Sequence, residues 1–177
     1  PMKQPYQPSL LRLIHAATAG AVGVGWLTGL VIYSNYDGRL FHLPWAYGGN
    51  LWELHEYAGN LLLPIAILLA LYAVTLGNWR LHKPSNTVML LALALPLLSG
   101  QGMHKKWMIE GQFDHLMYKI HLLGWMLIAA GLIWHVASAL QRGGVALVAS
   151  MADLQVKEHD NPTDWPNQIF NWFGHHR

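Results

Sequence analysis

The sequence predicts an all-α membrane protein, a four-transmembrane-helix up-down bundle with a C-terminal cytoplasmic tail. Three observations predict it. Four stretches, residues 13–36, 57–79, 84–104 and 120–141, contain no Asp, Glu, Lys or Arg. Each is long enough to cross a hydrocarbon core about 30 Å thick, whereas a buried helix of a soluble domain rarely stays uncharged for so long. The charges gather in the connections, which are short, so consecutive spans are expected to lie beside one another and alternate in direction.

Taken in order, the first span follows Pro8-Ser9, with Ser9 the expected N-cap, and runs through the small residues 16–21 towards Asn35 and Asp37-Gly38. Asn50 with Glu53 three residues later forms a capping-box pattern that starts the second span just before His55. Gly77-Asn78 ends it, and a basic link, residues 80–83, leads to Pro84 and the third span. That span breaks at Ser99-Gly100-Gln101-Gly102. Asp114 is the expected cap of the fourth, and Gly143-Gly144 its expected end. The chain thus divides into a membrane domain, residues 1–144, and a tail, residues 145–177. Within the tail, residues 145–154 suit a short helix on the membrane surface and residues 160–164 a loop. Trp165, Ile169, Phe170, Trp172 and Phe173 form an aromatic end segment.

Composition narrows the function. The chain has no cysteine, which excludes disulfides, thiolate-held clusters and thioether-attached haem. A net charge of +2 gives no basis for nucleic-acid binding. Nothing near Pro1-Met2 resembles a cleavable signal, so the first span is expected to act as an uncleaved insertion signal. Lys3, Arg12, Arg80, Lys83, Arg142, Lys157 and Arg177 fall on one side of the four spans. Arg39, Lys105, Lys106 and Lys119 fall on the other, offset by Asp37, Glu53, Glu56, Glu110 and Asp114. The positive-inside rule therefore places both termini in the cytoplasm.

The histidines carry the chemistry. His121 and His135 are fourteen residues apart in one uncharged span. On an α-helix they stand about 21 Å apart along the axis and about 40° apart in azimuth, facing nearly the same way from two depths. An imidazole inside a membrane needs a partner. His15 enters the first span to the cytoplasmic depth of His135, and His55 opens the second at the outer depth of His121. Two pairs at two depths, His15 with His135 and His55 with His121, fit the axial nitrogens of two haem b groups. A zinc or iron transport site would instead gather its ligands at one depth, often with carboxylates.

Gly59, Gly124 and Gly131 lie three or four residues from these histidines, where a flat macrocycle needs bare helix surface; Gly20 fits less well. Arg12, one turn before His15, is placed to meet a haem propionate, with positive-inside anchoring its alternative role. Lys119 and Arg39 are the outer counterparts, and Glu56 a candidate proton acceptor. His42, His82, His104 and His115 fall in connections or at span ends, where solvated or capping roles are expected. His104 and His115 are also candidates for a proton path or quinone site, and His159, His175 and His176 are exposed tail residues. Trp45, Trp52, Trp79 and Trp107 read as an interfacial belt.

Over residues 8–142 this pattern resembles the bacterial cytochrome b561 family and the related b-type cytochrome subunits of nickel-iron hydrogenases. The marks are His15 early in the first span, His55 at the outer start of the second, and His121 with His135 on the fourth. The resemblance implies the same pairing of ligands, two haem b, a multi-pass protein of the bacterial inner membrane, and electron transfer between the quinone pool and a redox partner. Such proteins serve as subunits of respiratory or photosynthetic complexes or act alone, as superoxide:quinone oxidoreductases do. The tail of roughly thirty-five residues departs from the pattern. It suggests docking to a protein partner, while a packing subunit without redox chemistry is the remaining alternative.

Overall fold

The computed structural model describes residues 5–104 and 115–175. The described residues form five α-helices: α1 Ser9–Tyr36, α2 Trp52–Val74, α3 Pro84–His104, α4 Leu116–Ala149 and α5 Trp165–His175. A 3-10 turn, Asn78–His82, lies between α2 and α3. No strand occurs among the described residues. Helices α1 to α4 are each long and apolar enough to cross a membrane. Their outward faces are apolar: Leu98 is 69% exposed and Ile133 72%, which suits lipid and not water.

Helix α1 packs chiefly on α2, and α3 on α4. Small residues allow the close approach that drives helix association in lipid. A Cβ on Gly25 would lie 3.9 Å from that of Ala58, and one on Gly124 would overlap the Pro96 ring and backbone nitrogen, at 2.6 and 2.9 Å. Pro96 and Pro64 both lie inside helices. The core forms where the helices meet at mid-depth: Leu62 and Ala66 of α2, Ala92, Leu93 and Leu97 of α3, and Ile128 of α4, with Ala21, Val22 and Trp26 of α1 packed against them.

The helix ends revise several expectations. Ser9 is the first residue of α1 and not its cap; Pro8 holds the cap position without a side-chain bond. The cap comes from the far end of the chain. Asp160 accepts the Ser9 backbone N–H at 2.7 Å and the Tyr6 hydroxyl, while Ser9 Oγ donates to the Asp160 carbonyl at 2.5 Å and accepts from Trp165 Nε1 at 2.9 Å. Leu51 stands at the start of α2, with Asn50 Oδ1 accepting from Trp52 N at 3.0 Å. Asp114, the expected cap of α4, lies outside the described residues, as do Lys105, Lys106, Trp107 and Glu110; His115 does the capping, its Nδ1 accepting from Met117 N at 3.2 Å. Gly144, at φ 62°, breaks α4 where a stop was expected, but the helix resumes as far as Ala149. The aromatic end segment folds as α5, which leaves Phe170 and Phe173 exposed.

Tail and first helix are bound together at one end of the bundle. The Arg12 guanidinium, buried, donates to the backbone carbonyls of Asp153 and, at 2.7 Å, Gln155. Arg80, from the turn after α2, donates to Gln7 Oε1 at 2.7 Å at this same end. Burial pushes the Asp160 carboxyl up, but the hydrogen bonds from Tyr6, Ser9 and Gln168 outweigh it and hold the carboxyl below its ordinary value.

Removing this long-range cap tests it. Replacing Asp160 by Ala should cost about 1–2 kcal/mol in thermal unfolding of the detergent-solubilised chain, and Asp160→Asn, which keeps one acceptor, less. Because the folded carboxyl titrates below its ordinary value of 3.8, its contribution is fully present above that pH. It is lost as the pH falls through the lowered value, so wild type and Asp160→Ala should converge in acid.

Candidate functional site

The four span histidines come together as two pairs. His15 of α1 and His135 of α4 face each other with ring centroids 6.3 Å apart and planes 27° apart. His55 of α2 and His121 of α4 stand 6.0 Å apart with planes at 73°. On α4, His121, Gly124, Ile128, Gly131 and His135 follow one another at three- and four-residue steps, so both ligating positions lie on one seam. The mid-depth core separates the two pairs. No three metal-ligating side chains gather at one place among the described residues.

Two hydroxyls from neighbouring helices reach the outer pair. Thr28 of α1 donates its proton to the Val24 carbonyl at 2.7 Å, and its oxygen lies 3.0 Å from His55 Nδ1. Ser99 of α3 repeats this, donating to the Leu95 carbonyl at 2.6 Å with its oxygen 3.2 Å from His121 Nδ1. A hydroxyl has one proton. Where that proton goes to the carbonyl, the oxygen accepts from the ring and Nδ1 carries the hydrogen. Nε2 is then the unprotonated nitrogen, free to bind a metal. At the inner pair, the buried His135 Nδ1 and Ser85 Oγ close no hydrogen bond.

Glycines make room for the rings, though not all those expected. A Cβ on Gly29 would come within 3.1 Å of His55 Cε1, and one on Gly100 within 3.3 Å of His121 Cε1. Neither stands near its histidine in sequence, which is why spacing along one helix missed them. Gly59 meets nothing within 4 Å and lines, with Gly25, Leu62 and Leu97, an apolar cavity between His55 and His121. Gly20 is also bare. Gly124 and Gly131 are corrections: Gly124 is filled by Pro96, and a Cβ on Gly131 would lie 3.3 Å from Met89 Sδ. Their missing side chains serve packing on α3 and leave no open surface for a macrocycle.

Trp26 and Trp125 form the other feature that sequence reading missed. Their rings stack across α1 and α4 at 4.8 Å and 14°. Each indole N–H donates to the other's backbone carbonyl, both at 3.2 Å. Tyr33 and Phe41 extend this stack towards the loop after α1. Both tryptophans line the cavity at the outer histidines.

Arg12 does not stand free beside His15. Both of its terminal amines are held by tail carbonyls, and its buried Nε has no hydrogen-bond partner. At the outer end, Arg39 pairs with Asp37 at 2.5 Å, and Tyr118 donates to Asp37 at 2.7 Å. Those bonds, the Arg39 contact foremost, hold the Asp37 carboxyl below its usual range. His42 and His82 have local roles, with Nδ1 near the Ser34 and Trp79 carbonyls at 3.0 and 3.2 Å.

The two kinds of glycine should separate on substitution. Gly124→Ala should destabilise the detergent-solubilised chain by about 1–3 kcal/mol, because the added methyl meets backbone. Gly20→Ala, which meets nothing, should be neutral or stabilising by up to about 1 kcal/mol through helix propensity. Equal thermal midpoints for the two variants would refute the packing role of Gly124.

Comparison of the chain with protein-family models, with curated proteins and with solved structures finds no match in any of the three.

Proposed function

We propose that the protein is a dihaem b-type membrane cytochrome that carries electrons between the quinone pool and a redox partner. The observation that carries this reading is the pair of facing histidine couples at two depths, with ring centroids 6.3 and 6.0 Å apart. Two metal–nitrogen bonds of about 2 Å, plus about 1 Å from each nitrogen to its ring centre, require a separation near 6 Å. With Thr28 and Ser99 accepting from Nδ1–H, Nε2 would be the ligand at the outer pair. Bare surface at Gly59 supplies room beside the outer site.

His15 and His135 would hold the inner haem b, and His55 and His121 the outer one. Bound there, haem iron supplies a one-electron Fe(III)/Fe(II) couple at each depth. With a histidine from each of two helices on each haem, these residues would leave no place for direct substrate binding and would favour transfer without ligand exchange. The mid-depth core keeps water out between the sites.

Contact pairs that run in opposite chain order support an up-down bundle: Gly25 with Ala58 and Gly29 with His55, then Gly100 with His121 and Gly131 with Met89. Arg12, Arg80 and the tail share one end, which under the positive-inside rule is the cytoplasmic one. The bilayer would be the inner membrane of a bacterium. The tail's role in partner docking narrows to α5, with Ile169, Phe170 and Phe173 exposed, because residues 153–160 are bound to the chain's own first helix. That self-contained tail favours the second reading, a free-standing quinone oxidoreductase, to the extent that the isolated chain reduces quinone catalytically.

A reduced-minus-oxidised spectrum of the purified protein tests the proposal. Two b-type components are expected, one lost in His121→Ala and the other in His135→Ala. Absence of b-type bands, or survival of both components in both variants, would sink it.

A further inference from the structure

We propose that Thr28 and Ser99 are the positioning residues of the outer site, which set its ligating nitrogens and lower the potential of the metal bound there. The inference rests on the dihaem reading and assigns a task to two side chains that ligate nothing. Both hydroxyls are buried, and each reaches a histidine on a different helix: Thr28 of α1 serves His55 of α2, and Ser99 of α3 serves His121 of α4. Each already spends its proton on the carbonyl four residues earlier. In this role each is an acceptor towards the ring, held in one rotamer by its own helix.

An Nδ1–H bonded to an oxygen makes Nε2 a stronger donor to iron, and a stronger donor favours the ferric state. Loss of the hydroxyl reverses this and eases reduction of the outer iron by its one electron. The inner pair supplies the internal reference, since His135 Nδ1 closes no hydrogen bond. The two ends of the molecule thus differ in ligand strength although all four ligands are histidine.

The test compares Thr28→Val, Ser99→Ala and the conservative Thr28→Ser in the full-length haem-loaded protein, by potentiometric titration of the two components. The component absent from His121→Ala identifies the outer couple. Thr28→Val and Ser99→Ala should each raise the reduced-to-oxidised ratio of that couple between threefold and tenfold at fixed potential, the upper figure being about 59 mV for one electron. The inner couple should not move, and Thr28→Ser should match wild type. Loss of the outer haem alone from Thr28→Val, with Thr28→Ser keeping both, supports the same role. Unchanged potentials, or equal shifts of both couples, would overturn it. A nitrogen-15 spectrum of the haem-free chain in detergent keeps the two ideas apart, because it reads the tautomers of His55 and His121 without any metal. If the protein binds no haem, the dihaem reading fails. If His55 and His121 lack the Nδ1–H form in wild type, the positioning role fails on its own.

Discussion

The gap between α1 and α4 is the constraint on which the rest of the structure depends. Within lipid, helices satisfy their own backbones, so their spacing is set by the side chains between them. Glycine and alanine draw α1 onto α2, and Gly124 draws α4 onto Pro96 of α3. Across α1 and α4 the reciprocal Trp26–Trp125 pair does the opposite, with two indoles stacked at 4.8 Å and each tied to the other's backbone. Two close pairs held apart by an aromatic spacer leave room where His15 meets His135, and the same spacer walls the cavity at His55 and His121.

Buried imidazoles then divide into two environments. At the outer pair, hydroxyls from α1 and α3 lie within hydrogen-bond reach of the rings. At the inner pair, buried polar atoms of His135, Ser85 and Arg12 close no hydrogen bonds. A fully satisfied polar contact in a low-dielectric interior rigidifies, whereas an unsatisfied one stays costly until something answers it. Four chemically identical histidines therefore stand in two unequal settings, and the inequality comes from the residues around them.

Much of this was legible in the sequence, and the limits are physical. The four spans follow from uncharged length alone, although α3 runs unbroken through Ser99-Gly100-Gln101-Gly102, where a break was expected. The histidine pairing followed from depth, because helical rise converts residue number directly into height. Glycine roles did not. Gly124 and Gly131 have the right spacing from the histidines, but packing on a neighbour and baring a face need the same missing side chain. Gly29, Gly100, Thr28 and Ser99 act on histidines in other helices, so no window along one helix contains the pair. The Asp160 cap lies 151 residues from Ser9, and the tail partners of Arg12, which the sequence placed to meet a propionate, are backbone carbonyls without a sequence signature.

The Asp160 cap has a consequence in the order of synthesis. Chains are made from the amino end and their early segments enter the membrane while later ones are still being translated. Helix α1 is thus threaded into the bilayer well before the aspartate that completes its first turn exists. During that interval the opening N–H groups of α1 must be answered by water at the membrane surface, and Arg12 by water or lipid phosphate. Only after residues 153–160 are made can Asp160 and the carbonyls of Asp153 and Gln155 take the place of those temporary partners. The contact is thus a late latch, closed by a distant segment on a helix made long before it.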